Sequence, residues 1–326
     1  MATRKGFPHN RLFLIPLDSR PVCYDMPRQL AESAGLDLGI PSPNQLGQLK
    51  TPANENSFFR WVKNNLFENE PLIVALDTVA YGGLIPSRVG NEAMDQLVAR
   101  VDRFFEQIRV AECYAFSSIL RIPAYDNDEE EPTYWKQYGA KLYDYSYRWH
   151  QTGEKPPTDM PPEVVADFIA RRERNHRLNQ KHLNRLVAGD LDFLTFCQDD
   201  TGRYGLNVRE ADELRALIKK RKCAGKAQVK TGADEVAATM LARWVHGHRE
   251  EPLKLWPVYT DEAARTMVAK FDGVPIETVV ADAAHACGIA LATDEADADI
   301  VLLVHTPGER QGDHCGGVAA VISPAQ

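Results

Sequence analysis

Long apolar runs are missing from the sequence. The longest, such as Ile300 to Val304, hold about five residues, whereas a helix that spans a bilayer needs about 20. The short run from Leu12 to Leu17 is interrupted by Pro16 and ends at Asp18, so it lacks the apolar core and the cleavage site of a signal peptide. The sequence therefore predicts a cytoplasmic protein with no membrane partner.

Cysteine is scarce, and basic charge is not in excess. The six cysteines are scattered along 326 residues without close pairs, which predicts reduced thiols rather than a disulfide framework. Acidic residues outnumber Lys and Arg by 46 to 38, and the formal net charge is −8. A nucleic-acid-binding protein needs a basic face to neutralise phosphates, so the composition argues against nucleic acid as a partner.

The signature motifs of several enzyme classes are also absent. The sequence contains neither a G-x-G-x-x-G segment nor a P-loop, so a dinucleotide or nucleoside-triphosphate site of the usual kind is not expected. It contains no G-x-S-x-G elbow, which argues against a serine hydrolase of the α/β-hydrolase type. We therefore expect no organic cofactor, and the leading hypothesis below needs no resident metal.

Strand-like apolar runs alternate with helical patterns along the chain, which is typical of βα units and a parallel sheet. About eight such runs occur, which predicts an α/β fold of the TIM-like (β/α)8 barrel type, regular or irregular. The alternative is one or more doubly wound open parallel sheets, because Asp282 to Val304 has the pattern of a small α/β unit of its own.

We expect a single α/β catalytic domain over residues 1–326, with a helical insertion at about 132–188 after the fourth strand. A plain βα unit needs one helix at this point, and the sequence has two helical patterns. The first carries an aromatic face, which is expected either to line the cavity or to pack in the core of the insertion. Its members are Tyr134, Trp135, Tyr138 and Tyr145.

Polar residues follow the ends of several predicted strands. The stretch PLIVALDTVAYGGLIPSR, residues 71–88, begins as a buried strand and continues into an aspartate, a tyrosine, two glycines and an arginine. In parallel α/β folds the carboxyl ends of the strands share one rim, and the residues just after them build the active site. The candidate catalytic residues at this rim are Asp77, Asp199, Asp200 and Glu235. The candidate substrate-binding residues are Asp18, Arg20, Tyr81, Arg88, Arg121, Tyr125, Tyr204 and Asp234.

Some of these residues have a simpler structural interpretation. An aspartate after a strand, such as Asp18, is often the N-cap of the next helix. Residues 234–235 stand where acidic residues of a first helical turn belong, and the run 129–131 is expected to be solvated. The adjacent acids Asp199 and Asp200 are harder to explain in this way, because they end a strand well before the next helix begins.

Four segments of the chain resemble a bacterial family known as domain of unknown function 4127. They are PLDSRPVCYDMP, LDTVAYGGLIPSR, RIPAYDNDEEEPTYW and DDTGRYGLN…KTGADEVAATMLAR. Members of the family show PLD-x-RP, YGGL-x-x-SR and GADE segments in this order, and the resemblance runs from about Arg11 to Pro307. The matching positions are Asp18, Arg20, Asp77, Tyr81, Ser87, Arg88, Arg121, Asp199, Asp200, Asp234 and Glu235. Members are typically longer, so the resemblance implies that the chain lacks a C-terminal portion of its longer relatives, which leaves the completeness of the site open. The resemblance does not identify an activity.

The residues themselves favour a glycoside hydrolase or a related carbohydrate-active enzyme, with a small-molecule or oligosaccharide substrate. Hydrolysis of a sugar needs two carboxyl groups, about 5–5.5 Å apart for retention and about 6.5–9.5 Å apart for inversion. The adjacent pair Asp199 and Asp200 also permits substrate-assisted hydrolysis of an N-acetyl sugar. Two alternatives stay open. One is a hydrolase or lyase that depends on magnesium or manganese, and the other is a non-catalytic sugar-binding protein.

Overall fold

A computed structural model describes residues 11–66 and 69–305 of the chain. Six parallel strands form the main sheet, in the order β2-β1-β3-β4-β5-β6. These strands are β1 (Arg11–Ile15), β2 (Asp37–Gly39), β3 (Leu72–Ala75), β4 (Cys113–Ile119), β5 (Phe193–Gln198) and β6 (Ala227–Thr231). Every residue of β3, β5 and β6 is buried, as expected for a parallel sheet that is covered on both faces.

Ten α-helices lie in the described part of the chain. They are α1 (Pro21–Ser33), α2 (Glu55–Asn65), α3 (Leu76–Tyr81), α4 (Leu84–Val89), α5 (Met94–Gln107), α6 (Trp135–Thr152), α7 (Pro162–Ala188), α8 (Leu206–Lys220), α9 (Val236–Gly247) and α10 (Ile276–Ala286). The buried residues of α5 follow one face of the helix at spacings of three and four, which explains why this segment is helical. None of these helices is both long and apolar enough to cross a lipid bilayer.

The sheet has a separate hydrophobic core on each face. Alternate residues of β1 point to opposite faces, so Phe13 and Ile15 join one core while Leu12 and Leu14 join the other. Helices α2, α5, α7 and α8 contribute to the first core, and α1 and α9 contribute to the second. The molecule is therefore an α/β fold in which a six-stranded parallel sheet is covered by helices on both faces.

The TIM-like barrel expected from the sequence is not confirmed, and a doubly wound open sheet fits the strand order. A TIM barrel pairs its strands in chain order and closes the last onto the first. Here β1 lies between β2 and β3, and among the described strands β2 and β6 each have a single neighbour. The last predicted strands leave this sheet and form a second one, in the order β8-β7-β9. Its strands are β7 (Lys254–Tyr259), β8 (Ala290–Leu291) and β9 (Ile300–Val304).

The two helices after β4 have different roles. Helix α6 and the first half of α7 enclose a third apolar cluster, while the second half of α7 packs on the main sheet through Leu178, Leu183 and Leu186. Helix α7 is therefore the crossover between β4 and β5 as well as a part of the predicted insertion. Trp135 and Tyr145 are buried core residues of the third cluster. Trp135 also borders a small cavity beside Arg88 and Arg121.

Five of the six cysteines lie in the described residues, and all five are free thiols: Cys23, Cys113, Cys197, Cys223 and Cys287. Cys315 lies outside the described residues.

Candidate functional site

The strand order places a topological switch point between β1 and β3. The chain moves outward from β1 to β2 on one side and from β3 to β6 on the other. In doubly wound sheets, ligands bind in the crevice outside the carboxyl ends of the strands at such a point. All the described pairings of the main sheet are parallel, so the residues that follow the ends of the six strands lie at one edge of the sheet.

The unusual stretch after β3 returns the chain to this edge. Strand β3 passes directly into the short helix α3, which ends at Gly82 with a φ of +83°. A Cβ atom at Gly82 would lie 2.7 Å from the backbone nitrogen of Ala53, so the close approach requires glycine. Gly83 then begins α4, which carries the side chain of Arg88 into the interior, where it is only 3% exposed.

Arg88 and Arg121 organise the carboxylates on the β4 and β5 side of the edge. Arg88 forms ion pairs with Asp199, with Glu130 at 2.9 Å and with Glu131 at 3.3 Å. Arg121 contacts the same two glutamates at 2.8 and 2.9 Å. Glu131 is buried, and this burial raises its pKa although both guanidinium groups act in the opposite direction. The expectation that residues 129–131 are solvated is therefore wrong for Glu131, because a buried arginine needs a carboxylate partner. Glu130 is partly exposed, and Glu129 is exposed.

Asp199 and Asp200 contact different arginines. Strand β5 ends at Gln198, and Asp200 has a φ of +26°, so the chain has left strand geometry at the second acid. This turn directs Asp199 to Arg88 and Asp200 to Arg121, the latter at 3.0 Å. The Asp200 side chain is 44% exposed and that of Asp199 is 15% exposed. Partial burial and then the charge of Asp199 raise the pKa of Asp200, and the two arginines oppose that shift.

A second cluster links the end of β1 to the end of β6. Arg20 bonds Asp18 with two guanidinium nitrogens, at 2.9 and 2.7 Å, and bonds Asp234 with two, at 3.1 and 2.6 Å. Partial burial and the charges of Asp199 and Asp18 raise the pKa of Asp234, while Arg20 lowers it. The influence of Asp199 on Asp234 places the two clusters within electrostatic reach of each other.

The structural alternative accounts for one contact of Asp18, but not for the side-chain contacts of Asp234 and Glu235. Helices α1 and α9 have no side-chain capping bond at their N-terminal boundary. Glu235 instead forms an ion pair with Lys230, whose ammonium group is buried at the end of β6 and also donates to the carbonyl oxygen of Thr231. Asp18 accepts a hydrogen bond of 2.9 Å from the backbone nitrogen of Arg20, the residue at the N-terminal boundary of α1, in addition to its contacts with the Arg20 guanidinium. The side chains of Asp234 and Glu235 contact the neighbouring cations Arg20 and Lys230.

Asp77 lies deeper than the other acids. Its side chain is 2% exposed, and one carboxylate oxygen accepts a hydrogen bond of 2.8 Å from the backbone nitrogen of Ser118. Burial, helped by the charge of Asp199, raises the pKa of Asp77 to about 6, although the Ser118 bond lowers it. The carboxyl group thus links the end of β3 to β4 beneath the edge.

The three candidate tyrosines occupy different environments. Tyr81 is buried in the first core, where the guanidinium of Arg174 lies 5.4 Å from its ring centre. Tyr125 is 50% exposed. Tyr204 is partly buried beside the Asp199–Gly202 turn and packs edge to face against Tyr147 at 5.2 Å. Tyr125 and Tyr204 are therefore accessible at the edge, and Tyr81 is not.

One acid near this edge was missed by sequence reasoning. Asp272 forms a parallel backbone bridge with Thr201. Partial burial and then the charge of Glu235 raise the pKa of Asp272, while Lys230 lowers it. The signal in the sequence is only the Asp-Gly pair of FDG, which predicts a turn and does not indicate where that turn packs.

The carboxylates of the edge mostly face arginine or lysine. Within residues 11–66 and 69–305, no three His, Cys, Asp or Glu side chains converge in a way that could hold a metal ion. Arginines already contact Asp18 and Asp199, two of the oxygen ligands that the metal-dependent alternative requires. The arrangement suits a polar, hydroxyl-rich ligand, for which carboxylates accept and guanidinium groups donate hydrogen bonds.

A family model described as "Protein of unknown function (DUF4127)" matches residues 12–323, and the chain belongs to this family. Neither a curated protein nor a solved structure gives a significant match.

Proposed function

We propose that the protein is a carbohydrate-active enzyme of the glycoside hydrolase type, with Asp200 as the general acid and Asp199 as its carboxylate partner. One observation carries this proposal. Two adjacent carboxyl groups lie at the switch-point edge in unlike surroundings, one bound by the buried Arg88 and the other half-exposed with a raised pKa. Pairs of carboxyl groups in such unlike environments divide the acid and base work of glycoside cleavage.

In this proposal Asp200 donates a proton to the oxygen of the leaving group as the glycosidic bond breaks. The positive charge that develops on the sugar ring is stabilised by other carboxylates of the edge. Asp199 and Glu235 are the candidates for that role, and either could also orient the attacking water. Asp77 is buried and bonded to Ser118, so it acts in this scheme by holding β3 and β4 together beneath the reacting groups.

Substrate binding is assigned to accessible groups. The side chain of Arg20 is 42% exposed, although Asp18 and Asp234 hold its guanidinium in place. A fixed guanidinium of this kind suits hydrogen bonds to sugar hydroxyls or to a sugar carboxylate. Tyr125 and Tyr204 present aromatic surface near the same edge. Aromatic side chains with one polar end suit a sugar, which has both apolar and polar faces.

The proposal is tested by incubating the purified protein with a panel of 4-nitrophenyl glycosides and natural oligosaccharides. We expect turnover of a subset, and we expect it to be unaffected by EDTA. Loss of turnover in EDTA with recovery in magnesium or manganese would favour the metal-dependent alternative. Binding detected by saturation-transfer NMR without turnover would favour a sugar-binding protein. If the panel shows neither binding nor turnover, the carbohydrate proposal is wrong.

A further inference from the structure

A loop that connects β7 to α10 packs on the turn that carries Asp200. We call residues 267–276, between β7 and α10, the clamp segment. The backbone nitrogen of Thr201 donates a hydrogen bond of 2.8 Å to the carbonyl oxygen of Phe271, and Thr201 pairs with Asp272 in a parallel bridge. The residue directly before Thr201 is Asp200, so the clamp segment is bonded to the backbone immediately beside the proposed general acid.

The clamp segment is also closed on itself. Val268 and Pro275 form an antiparallel bridge, and the backbone nitrogen of Ile276 donates to the carbonyl oxygen of Met267 at 2.9 Å. Hydrogen bonds therefore join the two ends of the loop, and Phe271 and Asp272 lie between these ends and contact Thr201. A loop whose ends are bonded to each other can hold a neighbouring turn in place. A loop without such bonds would move together with the turn.

Gly273 makes the contact with the turn very close. Its φ is +69°, and a Cβ atom at this position would lie 2.6 Å from the carbonyl oxygen of Gly202 and 3.0 Å from the methyl group of Thr201. Real Cβ atoms do not approach backbone oxygen so closely, so a side chain here would force the clamp segment and the turn apart. The packing of these two loops depends on glycine at position 273.

Both loops also contain a strained backbone. Asp200 has a φ of +26° and Phe271 a φ of +75°, and neither is glycine. Such conformations cost on the order of 1–3 kcal/mol each and persist only where the surroundings determine them. The Thr201–Phe271 hydrogen bond joins these two strained positions, because its donor follows Asp200 and its acceptor belongs to Phe271. The Thr201 hydroxyl also accepts hydrogen bonds from Asn207 at 3.2 Å and Gln198 at 3.4 Å, whereas the bond to Phe271 holds the Thr201 backbone itself.

We propose that the clamp segment is a positioning element that holds the turn at Asp200, and with it the Asp200 carboxyl group, in the geometry needed for proton donation. The inference rests on the proposed function, because it assigns a supporting part to the same acid. Gly273 and the backbone of Phe271 act through the turn and do not themselves touch the reacting atoms. Asp199, Arg88 and Arg121 remain the charged groups that face the Asp200 side chain.

The test replaces Gly273 by alanine and by asparagine. Alanine adds both the close contact and the cost of a positive φ, whereas asparagine tolerates the positive φ and adds only the contact. Gly35 supplies the matched control, since its φ is +75° and a Cβ atom there would meet nothing within 4 Å. We expect Gly273→Ala and Gly273→Asn to lower kcat tenfold to a hundredfold with little change in KM, because small displacements of a catalytic group have effects of this size. Gly35→Ala and Gly35→Asn should retain the wild-type kcat.

Two measurements keep the test independent of turnover and of variant folding. Hydrogen exchange of the Thr201 amide in the wild-type protein should be strongly protected, and exchange at the rate of an exposed amide would overturn the proposal. The pKa of Asp200, followed by carboxyl ¹³C NMR, should move in Gly273→Asn and stay at the wild-type value in Gly35→Asn. An unchanged pKa together with an unchanged kcat would also overturn it. If the wild-type protein turns over no glycoside, the proposed function fails, while these two measurements still decide whether the clamp segment positions Asp200.

Discussion

The guanidinium groups of Arg88 and Arg121 bond the same Glu131 carboxylate, at 3.3 and 2.9 Å, although the two arginines follow different strands. Each arginine then reaches one of two consecutive aspartates, Asp199 for Arg88 and Asp200 for Arg121. The network thus joins the ends of β3, β4 and β5 at one point. The network holds the two acidic side chains by charge, while the clamp segment is bonded to the backbone of the next residue, Thr201.

Removal of the Arg88 side chain should destabilise the protein strongly. Arg88 is 3% exposed and has three carboxylate partners, so Arg88→Met leaves Glu131 buried with one cation fewer. Breaking a buried ion pair in this way costs about 3–5 kcal/mol. Urea denaturation should show a loss of this order. The control is Arg28→Met, since the Arg28–Asp25 pair is exposed and such pairs contribute about 0–1 kcal/mol. Equal losses in the two variants would contradict the structural importance of the network.

Local sequence patterns were enough to predict the six strands of the main sheet and the polar residues after several of them. The strand predicted to end at Asp199 and Asp200 corresponds to β5 (Phe193–Gln198), and the two acids follow it. The prediction worked because a buried parallel strand is a short apolar run with polar residues after it. Whether such residues share one edge depends only on the strands being parallel, which the alternation of strands and helices indicates.

The strand neighbours could not be predicted in the same way. Periodicity within a strand carries no information about which strand pairs with it, so a barrel and an open sheet have the same local pattern. The burial of Glu131 depends on arginines 10 and 43 positions away. The approach of Asp272 to Thr201 joins two loops that are distant in the chain. Contacts of this kind are properties of the packed fold, and single-sequence patterns do not contain them.

Asp77 should make the stability of the protein depend on pH. Its pKa in the folded protein is about 6 against an ordinary value of 3.8, so the folded state binds more protons than the unfolded state between these values. The free energy of unfolding should therefore fall as pH rises from about 4 to above 6, by an amount on the order of 3 kcal/mol for this group alone. Asp77→Asn removes the titration and keeps an oxygen that can accept from Ser118. As the pH rises, the urea midpoint of Asp77→Asn should increase relative to that of the wild type. A constant difference across this range would show that the carboxyl group does not titrate there.

Tyr204 should contribute to substrate binding rather than to bond cleavage. Its ring lies beside the Asp199–Gly202 turn and is accessible, while Tyr147 supports it from one side. Removing an aromatic contact worth about 0.5–1.5 kcal/mol should raise KM for the true glycoside by several-fold in Tyr204→Ala and leave kcat nearly unchanged. Tyr204→Phe keeps the ring and should behave like the wild type. A fall in kcat with constant KM would place Tyr204 in the chemical step instead.

Asp200 should be essential for turnover and dispensable for folding. Asp200→Asn keeps the size of the side chain and an oxygen that can accept from Arg121, but it cannot donate the proton that the leaving group needs. We expect kcat to fall on the order of a hundredfold or more, the usual scale of general acid catalysis. The loss should be smaller for a substrate with a good leaving group, such as a 4-nitrophenyl glycoside, because that group departs with less help from an acid.

Asp212→Asn is the matched control, since Asp212 is a surface acid that is 60% exposed and paired with Arg215, and this variant should keep full activity. The basic limb of the pH–rate profile should reflect the raised pKa of Asp200, and activity should decline as this group loses its proton. An Asp200→Asn protein that folds normally and keeps both its activity and this limb would remove Asp200 from the acid role and move the search to Glu235.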